Sequence, residues 1–373
     1  MKNLFNLCVF TAGLFMMVIL YACKKDSAVS TVKTVNTVGT VHTLSSFNIG
    51  QTILVSDTDG FNAAQIDTNL VNAWGIAVTP TGAVWISSNH KGLSPIYNKM
   101  GNTLRPPVTI PAAVAGQTGS PTGMVFNDNA KCFVIPYTSQ ASRFIMCTED
   151  GLITAWGGGN AATIVSNHSA WGTVYKGLTI GQDHGSNFLF ATNFKGGTID
   201  VFDNDFHYMT GRQFKDPNIP SDYGPFNIRY IDNMLYVTYA KHLPPDNMDD
   251  EKGVGNGYVD IYKTDGTLLK RLITQGMLNS PWGITKAGPG FADTGEVLLV
   301  GNFGDGKINV YDLDGHFKWQ LQNNGKLVVI PGLWALDFLQ NNAPDGSATD
   351  PLFFTAGPDG ESHSLFGYLK KTP

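Results

Sequence analysis

Charge is scarce in this chain: Asp, Glu, Lys and Arg make up only 15% of its 373 residues. That scarcity excludes a charge-rich disordered chain and a coiled coil, both of which need many exposed charges. A basic excess is lacking too, with 25 Lys and Arg against 30 Asp and Glu and a formal net charge of −5. Nothing here would recruit nucleic-acid phosphate, so no nucleic-acid partner is expected. Cysteines number only 4, with no C-x-x-C, so a zinc ribbon or thioredoxin-type site has no support. The motifs G-x-S-x-G, H-E-x-x-H and a complete calcium loop are missing, which argues against the hydrolases that carry them. No segment shows a long helical apolar stripe, which disfavours a parallel α/β fold. What the chain has is glycine (42 residues) and 42% hydrophobic residues, enough for one large core or two modest ones.

Residues 1–22 read as an export signal. Lys2 supplies the positive start, Leu4 to Ala22 is almost entirely apolar, and the stretch ends Leu20-Tyr21-Ala22-Cys23 before Lys24-Lys25-Asp26. A transmembrane helix is the competing reading, since such a run nearly spans a bilayer. Leu-x-Ala-Cys resembles the bacterial lipoprotein box, which implies that Cys23 takes lipid and begins the mature chain. The Cys-Lys-Lys-Asp start is similar to lipoproteins of Bacteroidetes-type bacteria. It implies an exported protein of a Gram-negative outer membrane or cell surface, touching the membrane through the anchor only. Residues 23–46, rich in Ser, Thr and Val, are expected to be a flexible tether, with a strand hidden in the Val-Thr alternation as the alternative.

Cys132 and Cys147 sit at the outer ends of an expected hairpin, Cys132 to Ile135 and Arg143 to Cys147. Centred between Ser139 and Gln140, that hairpin would place the two cysteines opposite each other. In an exported chain they then form either a disulfide or two apolar free thiols.

An internal repeat dominates the rest. Leu70-Val71-Asn72-Ala73-Trp74-Gly75 recurs as Leu278-Asn279-Ser280-Pro281-Trp282-Gly283, with weaker copies around Gly123, Gly177, Phe226 and Ala335. Each unit continues with a second apolar run, such as Phe188 to Asn193 or Met234 to Tyr239, and an alternating third, such as Thr198 to Asp203. Turn signals follow at Asp150-Gly151, Asp265-Gly266 and Asp314-Gly315. Strand-sized runs in sets of three or four, repeated six times at about 50 residues, describe a β-propeller. The expected fold is therefore all-β: one domain over 47–373, with six four-stranded antiparallel blades. The unclaimed strand Thr52-Ile53-Leu54-Val55 is expected to join the last blade and close the ring.

At these residues, and at Leu299 to Gly306, Gly332-Leu333-Trp334, Tyr223 to Asn227, Tyr236 to Lys241 and Phe354 to Pro358, the chain resembles a family of uncharacterised exported bacterial proteins. The resemblance spans about residues 50–370. It implies a six-bladed propeller related to NHL-repeat proteins and, more distantly, to the gluconolactonase superfamily. It brings no established activity with it.

Gly301 to Lys307 nearly spells a phosphate-binding loop, but Ile308 stands where Ser or Thr should hold magnesium and a strand follows where a helix is needed. A tight turn between two blade strands is expected instead. In a propeller, the loop entering the innermost strand and the loop after the second strand emerge on one face. That top face is expected to gather Asn72, Trp74, Lys195, Lys241, Asn279 and Trp282 as ligand-binding residues. Asn193, Asn302, Asp305 and Glu361 are oxygen donors of the kind calcium requires, and His90 and His363 are candidate bases. The competing reading has Asn and Asp closing blade turns and Trp packing between blades. The acidic run Asp246 to Glu251, in a long insertion after Lys241, is expected to be a solvated loop or else a mobile lid or cation-binding segment over the top face.

Two functions follow. In the first, an envelope-tethered propeller binds an envelope protein, a glycan or a small molecule through its top face. In the second, a calcium-dependent lactonase- or esterase-like hydrolase uses a metal at the channel mouth.

Overall fold

Short alternating runs ended by glycine and Asx turns pair antiparallel into six sheets around one axis. A computed structural model describes residues 48–292, 295–339 and 351–372. The signal segment, Cys23 and the tether lie outside the described residues.

The six innermost strands are Ala73–Val78, Pro121–Phe126, Tyr175–Asp183, Tyr223–Ile231, Pro281–Ala287 and Leu333–Asp337. They begin blades 1 to 6 in chain order, and each of the first five blades is a four-stranded sheet. In blade 6 the chain's own beginning supplies the outer strand. Ile49–Ser56 lies antiparallel to Leu365–Lys371, from the pair Ile49↔Lys371 to Ser56↔Leu365. The closing strand is thus longer than its sequence core suggested, and Gln65–Ile66 covers its outer edge in parallel. The two sheet edges that would otherwise meet solvent are paired.

Glycine packs the blades together at the axis. A Cβ on Gly75, Gly123, Gly177 or Gly283 would come closer than 3.0 Å to backbone or side chain of the next blade. The axis is therefore closed, and the cavity left between Gly75, Gly123, Asn227 and Trp282 measures about 20 Å³. That is space for one water, not a tunnel.

One distortion recurs in every blade. The ladder between first and second strands skips one residue on the inner strand, for example between Ala73↔Ser88 and Ile76↔Ile86, and again between Tyr175↔Asn193 and Leu178↔Ala191. Blades 2, 4, 5 and 6 repeat it. A bulge turns the extra side chain out of the pleat. Those side chains are Trp74, Thr122, Lys176, Phe226, Trp282 and Trp334. Each bulge also frees an N–H. In blades 3, 4 and 6 a threonine of the second strand accepts it: Gly177 N–H to Thr192 (2.7 Å), Asn227 N–H to Thr238 (3.0 Å) and Ala335 N–H to Thr355 (3.0 Å). An unmet buried donor would cost about 1–3 kcal/mol, which explains why these hydroxyls sit in otherwise apolar strands.

Of the two readings for the cysteines, free thiols hold, and the hairpin register differs from the one supposed. A hairpin tip does form, with Val134 opposite Ala141, but its register is shifted and Cys147 belongs to the blade strand Phe144–Thr148. Both cysteines are free thiols. Cys147 is fully buried against Thr122 and the carbonyls of Gly123 and Gly177, and burial pushes its thiol up to about 12. The segment Gly301 to Lys307 is the expected turn, closed by Asn302 N–H to Lys307 O (2.9 Å).

Candidate functional site

The six bulged side chains meet at the mouth of the axis. Four are aromatic and form a plug: Trp334 stacks on Trp74 (centroids 3.5 Å apart) and on Phe303 (3.8 Å), while Trp282 meets both tryptophans edge-on. All of these rings are buried, so they form a floor rather than a stacking platform for a ligand. Lys176 is the exception in the ring. Its side chain is 2% exposed, and its ammonium lies 5.0 Å over the Trp74 ring.

A charge that deep needs partners, and loops from two other blades provide them. Lys176 Nζ donates to Glu149 Oε1 (2.6 Å) and to Asp249 Oδ1 (3.2 Å). Burial alone would lower the lysine's pKa, but the two carboxylates outweigh it and hold the ammonium charged. Glu149 follows the second strand of blade 2, where the Asp150-Gly151 turn begins. Asp249 lies in the insertion after Lys241, which folds back on itself through Leu243 N–H to Asp249 O and Glu251 N–H to Lys241 O (both 2.8 Å).

The chain of polar contacts continues around the mouth. Glu149 Oε2 accepts from Asn89 Nδ2 (2.8 Å), and Asn89 Oδ1 accepts from Asn72 Nδ2 (3.4 Å). The Asn72 amide also donates to Glu361 Oε2 (2.7 Å) and lies 3.3 Å from His90 Nε2. Its carbonyl accepts the Trp334 indole N–H (3.0 Å), which fixes the orientation of the amide. One network thus joins blades 1, 2, 3, 4 and 6, with Glu149 and Asp249 sharing the Lys176 ammonium and Glu361 held by Asn72.

Glu361 reaches this position through unusual backbone. Asp359, Gly360 and Glu361 all have positive φ (54°, 66° and 69°). Glu361 N–H bonds to Gly357 O (3.2 Å), closing a left-handed turn. For the two residues with a Cβ, that conformation costs roughly 1–2 kcal/mol each. Strain of this kind tends to gather where a side chain must be aimed. Burial raises the Glu361 pKa above the ordinary carboxyl value, and Glu149 adds to the rise, against the pull of Asn72 and Lys176. Two cavities open over the network: one of about 460 Å³, bounded by His90, Glu149, Asp249 and Glu361, and one of about 300 Å³, bounded by Lys252, Phe303, Asp305 and Glu361.

Among the residues expected at the top face, the structure brings Asn72, Trp74, Trp282, His90 and Glu361 to the mouth. It places the others differently. Asn193 Oδ1 accepts from Gly196 N–H (3.0 Å) and Val174 N–H (3.5 Å), closing a blade turn. Asn302 is fully buried and bonds to Asn279 N–H, Met277 O, Asn309 and Asp305. Asp305 pairs with Lys307 (3.1 Å). Of the expected calcium donors, Asn193 and Asn302 are therefore spent on turns, while Asp305, paired with Lys307, borders the smaller cavity with Glu361. Asn279 Oδ1 accepts from Gly253 N–H (2.7 Å) and pins the insertion. Lys241 pairs with Glu251 (2.9 Å), and Lys195 is exposed. His363 Nδ1 lies 2.8 Å from Asp57, and the histidine supports Asn72 only through its backbone carbonyl. A proton on His363 is favoured chiefly by that Asp57 contact, which raises its pKa.

Sequence reasoning missed Glu149, Lys176 and Lys252, and it placed Asp249 over the top face only as part of the acidic run Asp246 to Glu251. One signal was available: Lys176 stands before its repeat glycine where Trp74 and Trp282 stand in theirs. Among the described residues, Asp203, Asp205 and His207 are the one trio whose ligand atoms lie within 4.8 Å of each other. They form a hairpin turn in which Asp203 caps the Asp205 and His207 N–H groups (2.9 and 2.8 Å). Asp312, Asp314 and His316 repeat the same turn in blade 5.

No family model matches the chain. By sequence it is similar to an uncharacterized protein, R648, of Acanthamoeba polyphaga mimivirus: 31% identical over 319 residues, which is 83% of this chain and 77% of that protein. By structure it resembles a protein of unknown function from Bacteroides thetaiotaomicron, with a TM-score of 0.53 and 12% identity over 87% of this chain and 76% of the other. It also resembles the soluble aldose sugar dehydrogenase of Escherichia coli, with a TM-score of 0.52 and 11% identity over 87% of this chain and 100% of the other. At such identities the two structures speak to the fold alone.

Proposed function

This chain belongs to the family of the mimivirus protein R648, and from that premise we propose that it binds a small ligand in the mouth of its propeller axis. One observation carries the reading: the hydrogen-bonded network from Trp334 through Asn72, Glu361, Asn89, Glu149 and Lys176 to Asp249 spans five blades and opens into a cavity of about 460 Å³. A network that served stability alone would close its charges on one another. This one leaves carboxylates in excess and faces them into a space of ligand size.

The anchor belongs to the same proposal. Residues 1–22 direct export, Cys23 carries lipid, and the domain stands off a Gram-negative outer membrane or cell surface on its tether. The run Leu4 to Ala22 and the Ala22-Cys23 junction support this. The finer kinship, to exported bacterial propellers of NHL-repeat type, rests on the two Trp-Gly copies at Trp74 and Trp282. The mass of the mature chain, and its release from membranes by Cys23→Ala, test the anchor.

A melting-temperature screen of the purified chain against amines, sugars, carboxylates and divalent cations tests the mouth. A ligand of the folded state raises the melting temperature in proportion to its affinity. The expected result is a shift that Glu149→Gln and Glu361→Gln abolish. A shift that survives both substitutions would place the ligand elsewhere and overturn the reading.

A further inference from the structure

The face opposite the mouth carries a cavity of different chemistry. The bulged residues at the mouth stand near the start of each innermost strand, so the loops that leave those strands gather on the far face. Between blades 6 and 1 they leave an open cavity of about 830 Å³. Its floor is apolar: Leu54 of the closing strand with Phe338, Leu339 and Phe353 of blade 6, each at most 6% exposed. Met100 and Tyr368 stand at its sides.

The walls are held in place by their own contacts. Leu339 has a positive φ of 49°, unfavourable for a residue with a Cβ, and its N–H is held by Asp337 Oδ1 (2.7 Å). The turn that carries Met100 is fixed as well. Asn98 Oδ1 accepts from the N–H groups of Met100 and Asn102 (2.9 and 3.0 Å), and the turn rests so closely on the closing strand that a Cβ on Gly101 would lie 2.9 Å from that of Leu54. Met100 is thus kept at the cavity's edge, 71% exposed although it is apolar.

The charge of the cavity has one sign. Lys99 and Lys370 are exposed walls, and among the described residues neither ammonium has an ion pair or a hydrogen bond. Elsewhere lysines are matched: Lys176, Lys241, Lys270, Lys286, Lys307 and Lys318 each meet a carboxylate at 3.5 Å or less. No carboxylate stands among the described walls here. A cation would therefore meet two ammoniums and no counter-charge. A neutral hydrocarbon would leave both ammoniums unanswered, and a small inorganic anion would leave the floor unused.

We propose that this cavity is a second binding site, for a free fatty carboxylate. The head group pairs with Lys99 and Lys370, and the alkyl chain lies over Leu54, Leu339 and Phe353 beside Met100. The volume falls in the range of small-ligand pockets. A carboxylate between two ammoniums makes charge-assisted hydrogen bonds, and each methylene that leaves water adds about fourfold in affinity. The site is separate from the mouth and does not rest on the reading given to it.

Equilibrium dialysis of labelled decanoate against the purified full chain tests this, with hexanoate and decyltrimethylammonium as competitors. The double variant Lys99→Gln/Lys370→Gln, Met100→Glu and Glu361→Gln are measured alongside. The first three side chains are exposed, so these variants should fold, and melting curves verify it. Decanoate should be retained, and hexanoate should compete at least about tenfold more weakly than unlabelled decanoate, because it lacks four methylenes. Decyltrimethylammonium should not compete, and the double variant and Met100→Glu should each weaken retention by about tenfold. No retention of decanoate would overturn the proposal. So would equal competition by hexanoate, which denies the apolar floor, or by decyltrimethylammonium, which denies the charge. Retention unchanged in the double variant and in Met100→Glu would place the carboxylate elsewhere, and a loss confined to Glu361→Gln would place it at the mouth; either result overturns the site.

Discussion

Two of the buried charged networks in this propeller are built to different ends. In blade 4, Arg271 pairs with Asp216, which is 2% exposed, and approaches Asp260, which is fully buried (Nε to Oδ1 3.6 Å). Asp260 accepts from Tyr262 (3.1 Å), whose hydroxyl lies 2.8 Å from that of Tyr239. Every member belongs to blade 4 or to the loop leading into it, both carboxylates are buried, and only Arg271, at 22% exposed, reaches toward solvent. At the mouth, the partners of Lys176 come from separate blades and grow progressively more exposed: Glu149 at 24%, Asp249 at 70%. A network whose carboxylates are buried within one blade serves that blade. A network stepped from buried to exposed across five blades presents charge to an incoming molecule.

The sharpest way to break the comparison is to remove each cation. Arg271→Met leaves Asp216 and Asp260 without a counter-charge in the interior, and we expect a loss of about 3 kcal/mol by denaturant unfolding. Lys176→Met should cost less, about 1–2 kcal/mol, because Asp249 and part of Glu149 can rehydrate. Equal losses would mean that the mouth network is structural as well.

Acidity separates the two regions next. Burial, with Asp216 adding to it, raises Asp260 to about 7. A carboxyl whose pKa is raised on folding binds its proton more tightly in the native state. Its contribution is therefore full below the unfolded value of 3.8 and is lost as pH rises through about 7. From this group the chain should gain stability on going from pH 8 to pH 5, by at most about 3 kcal/mol, and Asp260→Asn should flatten that rise. A slope unchanged in the variant would assign the titration elsewhere. The smallest effect belongs to Asp249→Asn, with an unfolding free energy within about 0.5 kcal/mol of the parent, since its carboxylate is largely in water.

Much of the architecture is written as period. The repeat near 50 residues, the Trp-Gly copies and the spare N-terminal strand predict six blades and their closure, and the structure has both. Period also explains what was hidden. Asn193 and Asn302 occupy the same kind of post-strand loop as Asn89, yet the former bond inward to their own turns and the latter joins the network at the mouth. Composition at a turn does not say which way its side chains point. Lys176 escaped notice because only the bulge turns it to the axis, and a bulge is a register event between strands. Asp249 comes to the mouth through a loop whose reach no alternation encodes. Whether Cys132 and Cys147 pair stayed open for the same reason, since their hairpin cannot be centred without knowing where the blade strand begins.

The most direct test of the two-network account is amide hydrogen exchange of the full chain with and without saturation by the compound that the melting-temperature screen selects. The account predicts slowed exchange in residues 243–251 and around Glu361, with Tyr258–Tyr262 unchanged. Protection confined to Tyr258–Tyr262, or spread evenly over all blades, would contradict it.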